Sequence, residues 1–169
     1  MKKLFSFLMI AVLGFLFVSC TDDSRDDIDS DTYSVVYDVT ANFQNTNGRY
    51  VISRSFNNAI PSTDVILVYR KSGVDGNNNV WQQIPRTLFL TEGELDYDFD
   101  FTRSDVAIYA GGNVDISTQT AAWQNMYINN QTFRVVIVPA AAGKANVNYS
   151  NYEEVIKYYN IDDTKVKSL

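Results

Sequence analysis

Between Gly93 and Thr102 the chain reads GELDYDFDFT, with Asp96, Asp98 and Asp100 at alternate positions and Leu95, Tyr97, Phe99 and Phe101 between them. A repeat of two fits only extended backbone, because successive side chains of a strand leave opposite faces, whereas a helix would spread both sets around its axis. The segment is therefore predicted to be a strand. Its apolar row is expected to face a core and its aspartates to face water, where the charge also discourages pairing with a stray strand edge.

The same period recurs along the chain. In YSVVYDVTANF, Tyr33, Val35, Tyr37, Val39, Ala41 and Phe43 alternate with Ser34, Asp38, Thr40 and Asn42. The turn residues NTNG follow, with Gly48 able to take a positive φ, so this segment and RYVISRSF are predicted to pair as a hairpin. VILVYRK, residues 65–71, is apolar without alternation and is predicted to be a central strand covered on both faces. VWQQI, RTLFL, VAIYA and TFRVVIVP add further strands, with Pro85 confined to an edge or a bend. About eight short strands at close spacing predict an all-β fold, an antiparallel two-sheet β-sandwich, Ig-like or similar. Only SNYEEVIKYY is predicted to be helical. Ser150 is its expected cap, Glu153 and Glu154 suit its dipole, and Val155, Ile156 and Tyr159 share one side, so a short C-terminal helix should seal one end of the sandwich. Together these elements make residues 33–169 a single domain of 137 residues. That is long enough to bury roughly two-thirds of its unfolded surface.

Residues 1–19 have a different character. A basic MKK start, the 15-residue apolar run Leu4–Val18 and a serine lead to Cys20, the chain's single cysteine. The run is shorter than the roughly 20 residues a membrane-spanning helix needs, and it reads as a secretion signal peptide. The junction FVS/C resembles a bacterial lipobox, with Phe17 where a leucine is usual. That resemblance implies a lipoprotein whose Cys20 becomes the first mature residue and carries fatty acyl chains such as palmitate. The segment 20–32 holds six aspartates and one arginine, too charged to collapse, and reads as an acidic, disordered tether. Its 12 residues after Cys20 span at most roughly 40 Å. Acidic residues placed as in CTDD resemble the signal that sends some lipoproteins to the outer face of the outer membrane, so an outer-membrane, cell-surface location is expected in preference to the periplasmic face.

DVILVYR, GELDYDFDFT and FRVVIVPA, spread over most of the body, resemble a group of small lipobox-bearing, β-rich cell-envelope lipoproteins of Gram-negative bacteria. Some of these carry the label dihydrolipoamide dehydrogenase. That chemistry needs Gly-rich turns for two dinucleotides and a cysteine pair, and this chain has no G-x-G-x-x-G and no second cysteine. Where the group often has a Gly-rich tether, this chain has aspartates. The resemblance implies no functional residues.

Residue chemistry narrows the function further. There is no histidine, which removes the commonest general base near neutral pH and the usual zinc, iron and copper ligand. G-x-S-x-G and P-loop motifs are missing too, and no cofactor is expected. Carboxylates remain. On a strand, Asp96, Asp98 and Asp100 would stand about 6.5 to 7 Å apart, which gives a glycosidase spacing without its cleft and holds the oxygens too far apart for calcium. Asp75–Asn79, DGNNN, has the opening spacing of a calcium loop but lacks its sixth-place glycine and twelfth-place glutamate, so a polar hairpin turn is expected there. Weak calcium binding at Asp75–Asn79 or Asp96–Asp100 stays open at this point. Trp81, Trp123 and Tyr127 are candidate ligand-contact aromatics, with core or loop packing as the competing role. The acidic body shows no basic patch for nucleic acid.

A non-enzymatic binding, adhesive or structural module of the envelope is the reading these residues favour. Its expected partners are the membrane, through the N-terminal lipid, and a glycan or another envelope protein. A glycan-binding accessory protein and a carboxylate-dependent hydrolase are the alternatives.

Overall fold

In a computed structural model, which describes residues 34–140 and 147–169, the alternating segments form strands. They are β1 Val35–Ala41, β2 Gln44–Thr46, β3 Arg49–Ser55, β4 Val65–Asp75, β5 Asn78–Ile84, β6 Arg86–Leu90, β7 Gly93–Phe101, β8 Asp105–Gly112, β9 Gln131–Val138 and β10 Lys167–Ser168. A 3₁₀ turn at Ile116–Thr118 and two helices, α1 Ala121–Tyr127 and α2 Tyr152–Tyr158, complete the described chain. The strands make two five-stranded sheets, in the orders β10-β1-β9-β4-β5 and β2-β3-β8-β7-β6. All neighbours are antiparallel except β1 and β10, so the predicted two-sheet β-sandwich is the architecture observed.

The core lies between the sheets. Val39, Val68, Phe133 and Val135 from the first sheet meet Ile52, Leu95, Tyr97, Val106 and Ile108 from the second, and all are buried. In β7 the even register holds at Leu95 and Tyr97, but Phe99 is half-buried and Phe101 is 40% exposed. The inward row therefore fades at the strand's end, where Phe101 stacks on Phe99. β4 is covered on both faces, as its unbroken apolar run predicts. Its Ile66 and Val68 enter the inter-sheet core, and Tyr69 enters a second cluster on the sheet's outer side.

Four expectations are corrected. The first two long strands do not form one hairpin. β1 pairs with β9, and the turn at Asn47 and Gly48, both with positive φ, instead joins β3 to the short β2 in the opposite sheet. Phe43, buried in the inter-sheet core, lies where the chain crosses from one sheet to the other. The C-terminal helix does form, but its cap is Asn151, whose side chain accepts from the Glu154 N–H, and not Ser150. It also covers a face where an end was expected. Tyr152 and Val155 of α2 pack on Val36, Tyr69, Val136 and Val138, which point out of the first sheet. AAWQNMY, outside the one predicted helix, is α1, capped by Thr120 and held in place by buried Trp123. Its single buried apolar turn is too short to show a helical period in the sequence.

Residues 1–33, including the signal segment, Cys20 and the tether, lie outside the described residues.

Candidate functional site

The aspartate row of β7 is the most conspicuous polar feature, and its cross-strand partners decide what it can do. Asp96 stands opposite Thr87 and Gly111, Asp98 opposite Tyr109, and Asp100 opposite Ala107. None of these is an acid. Each carboxylate also has a local donor. The Thr87 hydroxyl donates to Asp96 at 2.5 Å, the Phe99 N–H to Asp98 at 2.8 Å, and the Tyr109 hydroxyl to Asp100 at 2.9 Å. The Arg49 guanidinium lies 3.7 Å above the Tyr109 ring, adding a cation at the margin of the row. Among the described residues no three acids converge as a metal would require. The row is a solvated sheet face with spacing and no opposing carboxylate. Asp75–Asn79 is likewise a hairpin corner between β4 and β5, with Gly76 at φ 58°.

The three aromatics are not brought together. Trp81, in β5, is half-buried beside α2 in the outer cluster, with its ring 5.8 Å from Tyr152 and the Arg134 guanidinium 4.4 Å above it. That ring face is already occupied. Trp123 is buried and Tyr127 half-buried at the inter-sheet core, with ring centroids 4.9 Å apart. The Trp123 Nε1 is the single buried side-chain polar atom among the described residues that lacks a partner. No shared platform for a sugar face results.

Two arginines hold more chemistry than any of these. Arg134, 6% exposed, points out of the first sheet, donates from Nε and Nη2 to the two Asp38 oxygens at 2.8 and 2.9 Å, and from Nη1 to the Tyr152 hydroxyl at 2.7 Å. Its Nη1 also reaches Asp163 at 3.3 Å. Burial opposes its charge, but the Asp38 and Tyr152 hydrogen bonds outweigh burial and hold the guanidinium firmly protonated. Arg70, 7% exposed, points inward at one end of the core, where it lies 4.7 Å from the centre of the Tyr97 ring. Its Nε and Nη2 donate to the Gln131 side-chain oxygen at 3.1 and 2.8 Å, and Nη2 also donates to the Met126 carbonyl at the end of α1. Gln131 is buried too, its amide fixed by the Met126 and Asn129 carbonyls.

Neither arginine stands out in the sequence as a site residue, although a signal was present. Arg134 interrupts the apolar run FRVVIV and Arg70 ends the apolar run VILVY, and a cation in either place must find a partner or a surface.

Buried tyrosines set the pH limit of the domain. Burial pushes the Tyr97 hydroxyl up to about 12, with Arg70 working the other way, and burial also raises Tyr69 and Tyr152. A phenol whose folded value exceeds its unfolded value of about 10 favours folding below pH 10, and that contribution fades as pH rises through the folded value. Stability should therefore stay level through neutral pH, where no histidine titrates, and fall between about pH 10 and 12. Phenolate absorbance followed alongside circular dichroism checks this: the buried fraction should ionise together with unfolding, and free titration of every tyrosine in the folded state would contradict it.

Compared with protein-family models, with curated proteins and with solved structures, the chain gives no match.

Proposed function

We propose that this chain is a lipid-anchored domain of the cell envelope with a non-enzymatic binding, adhesive or structural role, akin to the lipobox-bearing β-rich lipoproteins it resembles. The observation that carries the non-enzymatic reading is the partnering of the β7 aspartates. Each is engaged by its own strand neighbourhood, and none faces an acid across a strand pair. A hydrolase needs two acids flanking a substrate, one of them able to take and return a proton. The anchoring reading rests on the basic, apolar and cysteine sequence of residues 1–20.

Fatty-acid labelling tests the anchor. Cells fed a clickable palmitate analogue should label the chain, and Cys20→Ala should abolish the label. Label surviving that substitution, or no label on the natural chain, ends the reading. Placement on the outer face of the outer membrane, with the acidic tether holding the domain clear of headgroups, predicts that protease added to intact cells removes the domain. Complete protection would assign it to the periplasmic face.

A glycan-binding form of this role has specific support in the chain's own polar end, where Arg70 meets α1.

A further inference from the structure

Arg70 is a buried cation whose hydrogen-bond partners among the described residues are all neutral. The ion pairs among the described residues join Arg134 to Asp38 and Asp163, and Lys165 to Asp162, and Arg70 belongs to none of them. Its Nε and Nη2 are consumed by Gln131 and Met126, and among the described residues Nη1 donates to no protein group. A charge taken out of water costs several kcal/mol unless an opposite charge or a full set of hydrogen bonds offsets it. This one is pre-oriented, stacked on Tyr97 and braced by Gln131, with donor capacity left over.

That capacity sits at an open cleft. Arg70 and Lys71 border a cleft of about 290 Å³ together with Ser72, Met126, Asn130 and Thr132. The strand is irregular here, since the β4–β5 register shifts between Lys71 and Gly73. Lys71 takes part in none of the ion pairs, so the cleft has two cations and no acid among its lining residues. Its remaining lining is amide, hydroxyl and one thioether. The cleft also lies at a defined end of the domain. Ala41, the last residue of β1, pairs with Gln131, whereas Val35, its first, pairs with Ile137. The seven residues of β1 put roughly 20 Å between the cleft and the point where the chain enters the sheet.

From these features the geometry points to a binding site for the carboxylate of an acidic sugar, a hexuronic acid unit. The planar carboxylate suits the free edge of the guanidinium, and the Lys71 ammonium, which leaves the other face of the same strand, adds positive charge at the rim of the cleft. The ring hydroxyls suit the Asn130 amide and the remaining lone pairs of Ser72 and Thr132, whose hydroxyls already bond the Val80 carbonyl and Thr40, and Met126, 62% exposed, offers the apolar surface on which a sugar's C–H face can rest. A peptide carboxyl terminus would in addition need an apolar side-chain pocket, which this polar lining does not provide. The volume is that of a single ring unit. The site lies far from where the chain enters the sheet, so it would face outward from an anchored domain. The inference specifies the binding role proposed above in its glycan form and is independent of the lipid anchor.

Calorimetric titration of the full chain in detergent tests it, with sodium galacturonate, galactose and sodium sulfate as the three ligands. Galacturonate should bind saturably and at least about tenfold more tightly than galactose, the effect of one charge-assisted hydrogen-bonded pair. Sulfate should compete only weakly, having no ring to satisfy the amides. Lys71→Gln, on a half-buried side chain that joins no ion pair among the described residues, should weaken galacturonate by roughly three- to tenfold while leaving the melting temperature unchanged. Arg70→Gln should weaken it more, with folding checked by circular dichroism. Absence of saturable binding, equal binding of galactose, displacement by sulfate as strong as by galacturonate, or a Lys71→Gln chain that binds normally would each overturn the site. A chain labelled on Cys20 that ignores galacturonate loses this inference alone, and an unlabelled chain that binds it loses only the anchor.

Discussion

Replacing Phe133 with alanine should cost about 3 to 5 kcal/mol, a large share of the roughly 5 to 15 kcal/mol that hold a domain of this size. Phe133 is completely buried in β9, the strand flanked by β1 and β4, and its ring meets Phe43 edge-on at 5.8 Å and Tyr97 at 6.0 Å. These three rings come from different parts of the chain and from both sheets, so the cavity left by truncation cannot be closed by moving one loop. Urea denaturation should show a midpoint shifted to lower concentration with little change in slope, and the melting temperature should fall by roughly 10 to 20 °C. Phe101→Ala is the matched control. It removes the same ring from the exposed end of β7 and should cost less than about 1 kcal/mol. Equal losses in the two variants would mean that the inter-sheet aromatic cluster is not the core's centre.

The contrast between Phe133 and Phe101 also marks how far the sequence could be read. Alternation assigned Phe101 to an inward row, because period two fixes the face on which a side chain stands, whereas Phe133 lies in TFRVVIVP, which was read only as a strand. Alternation does not fix the depth. Depth depends on what the opposite sheet places across from each position, and β7 runs past its cover at Phe101. The same reasoning explains the strand pairing. Asn47 and Gly48 announced a turn, and a turn is there, yet the sequence between Phe43 and Arg49 does not state whether the chain changes sheet before turning. That choice is made by long-range contacts of β1 with β9, nearly a hundred positions away, which no local pattern carries.

The candidate site was less legible for a related reason. The aspartates were visible because they repeat, and their cross-strand partners, Thr87, Gly111, Tyr109 and Ala107, make them a wet face. Arg70 and Gln131 are single residues 61 positions apart, and their pairing exists only once β4 and β9 are neighbours and α1 brings the Met126 carbonyl to the same end. An arginine within or at the end of an apolar strand run is the trace left in the sequence, and it marks both this site and the structural cluster at Arg134 without telling them apart. What separates them is the partner: two carboxylates at Arg134, and none among the described residues at Arg70.

Arg134→Met should accordingly act on stability and on one region in particular. The guanidinium joins β9 to Asp38 of β1, to Tyr152 of α2 and to Asp163 beyond the helix, and Asp38 in turn pairs with Ser168 of β10 and accepts the Leu169 N–H. One side chain thus fastens the whole C-terminal segment, residues 152–169, to the outer face of the first sheet. Removing one partner of a fully buried pair costs about 3 to 5 kcal/mol, because the other charge is stranded. Here the Asp38 and Asp163 side chains are 32% and 34% exposed and can rehydrate, which lowers the expected loss to about 2 to 3 kcal/mol. Methionine keeps some packing against Trp81 and Tyr152, so the loss reports the charge and its hydrogen bonds more than a void. Hydrogen exchange gives the sharper readout. Amides of 152–169 should exchange well ahead of those in β4 and β9, because α2 rests on one small apolar cluster and β10 contributes only two residues. Asp38→Asn should loosen the same amides to a smaller degree, and the double variant should show a coupling of at least about 1 kcal/mol. Uniform acceleration across both sheets, or additive effects of the two substitutions, would show instead that Arg134 supports the sandwich as a whole and that the apolar contacts of Tyr152 and Val155 alone retain the C-terminal segment.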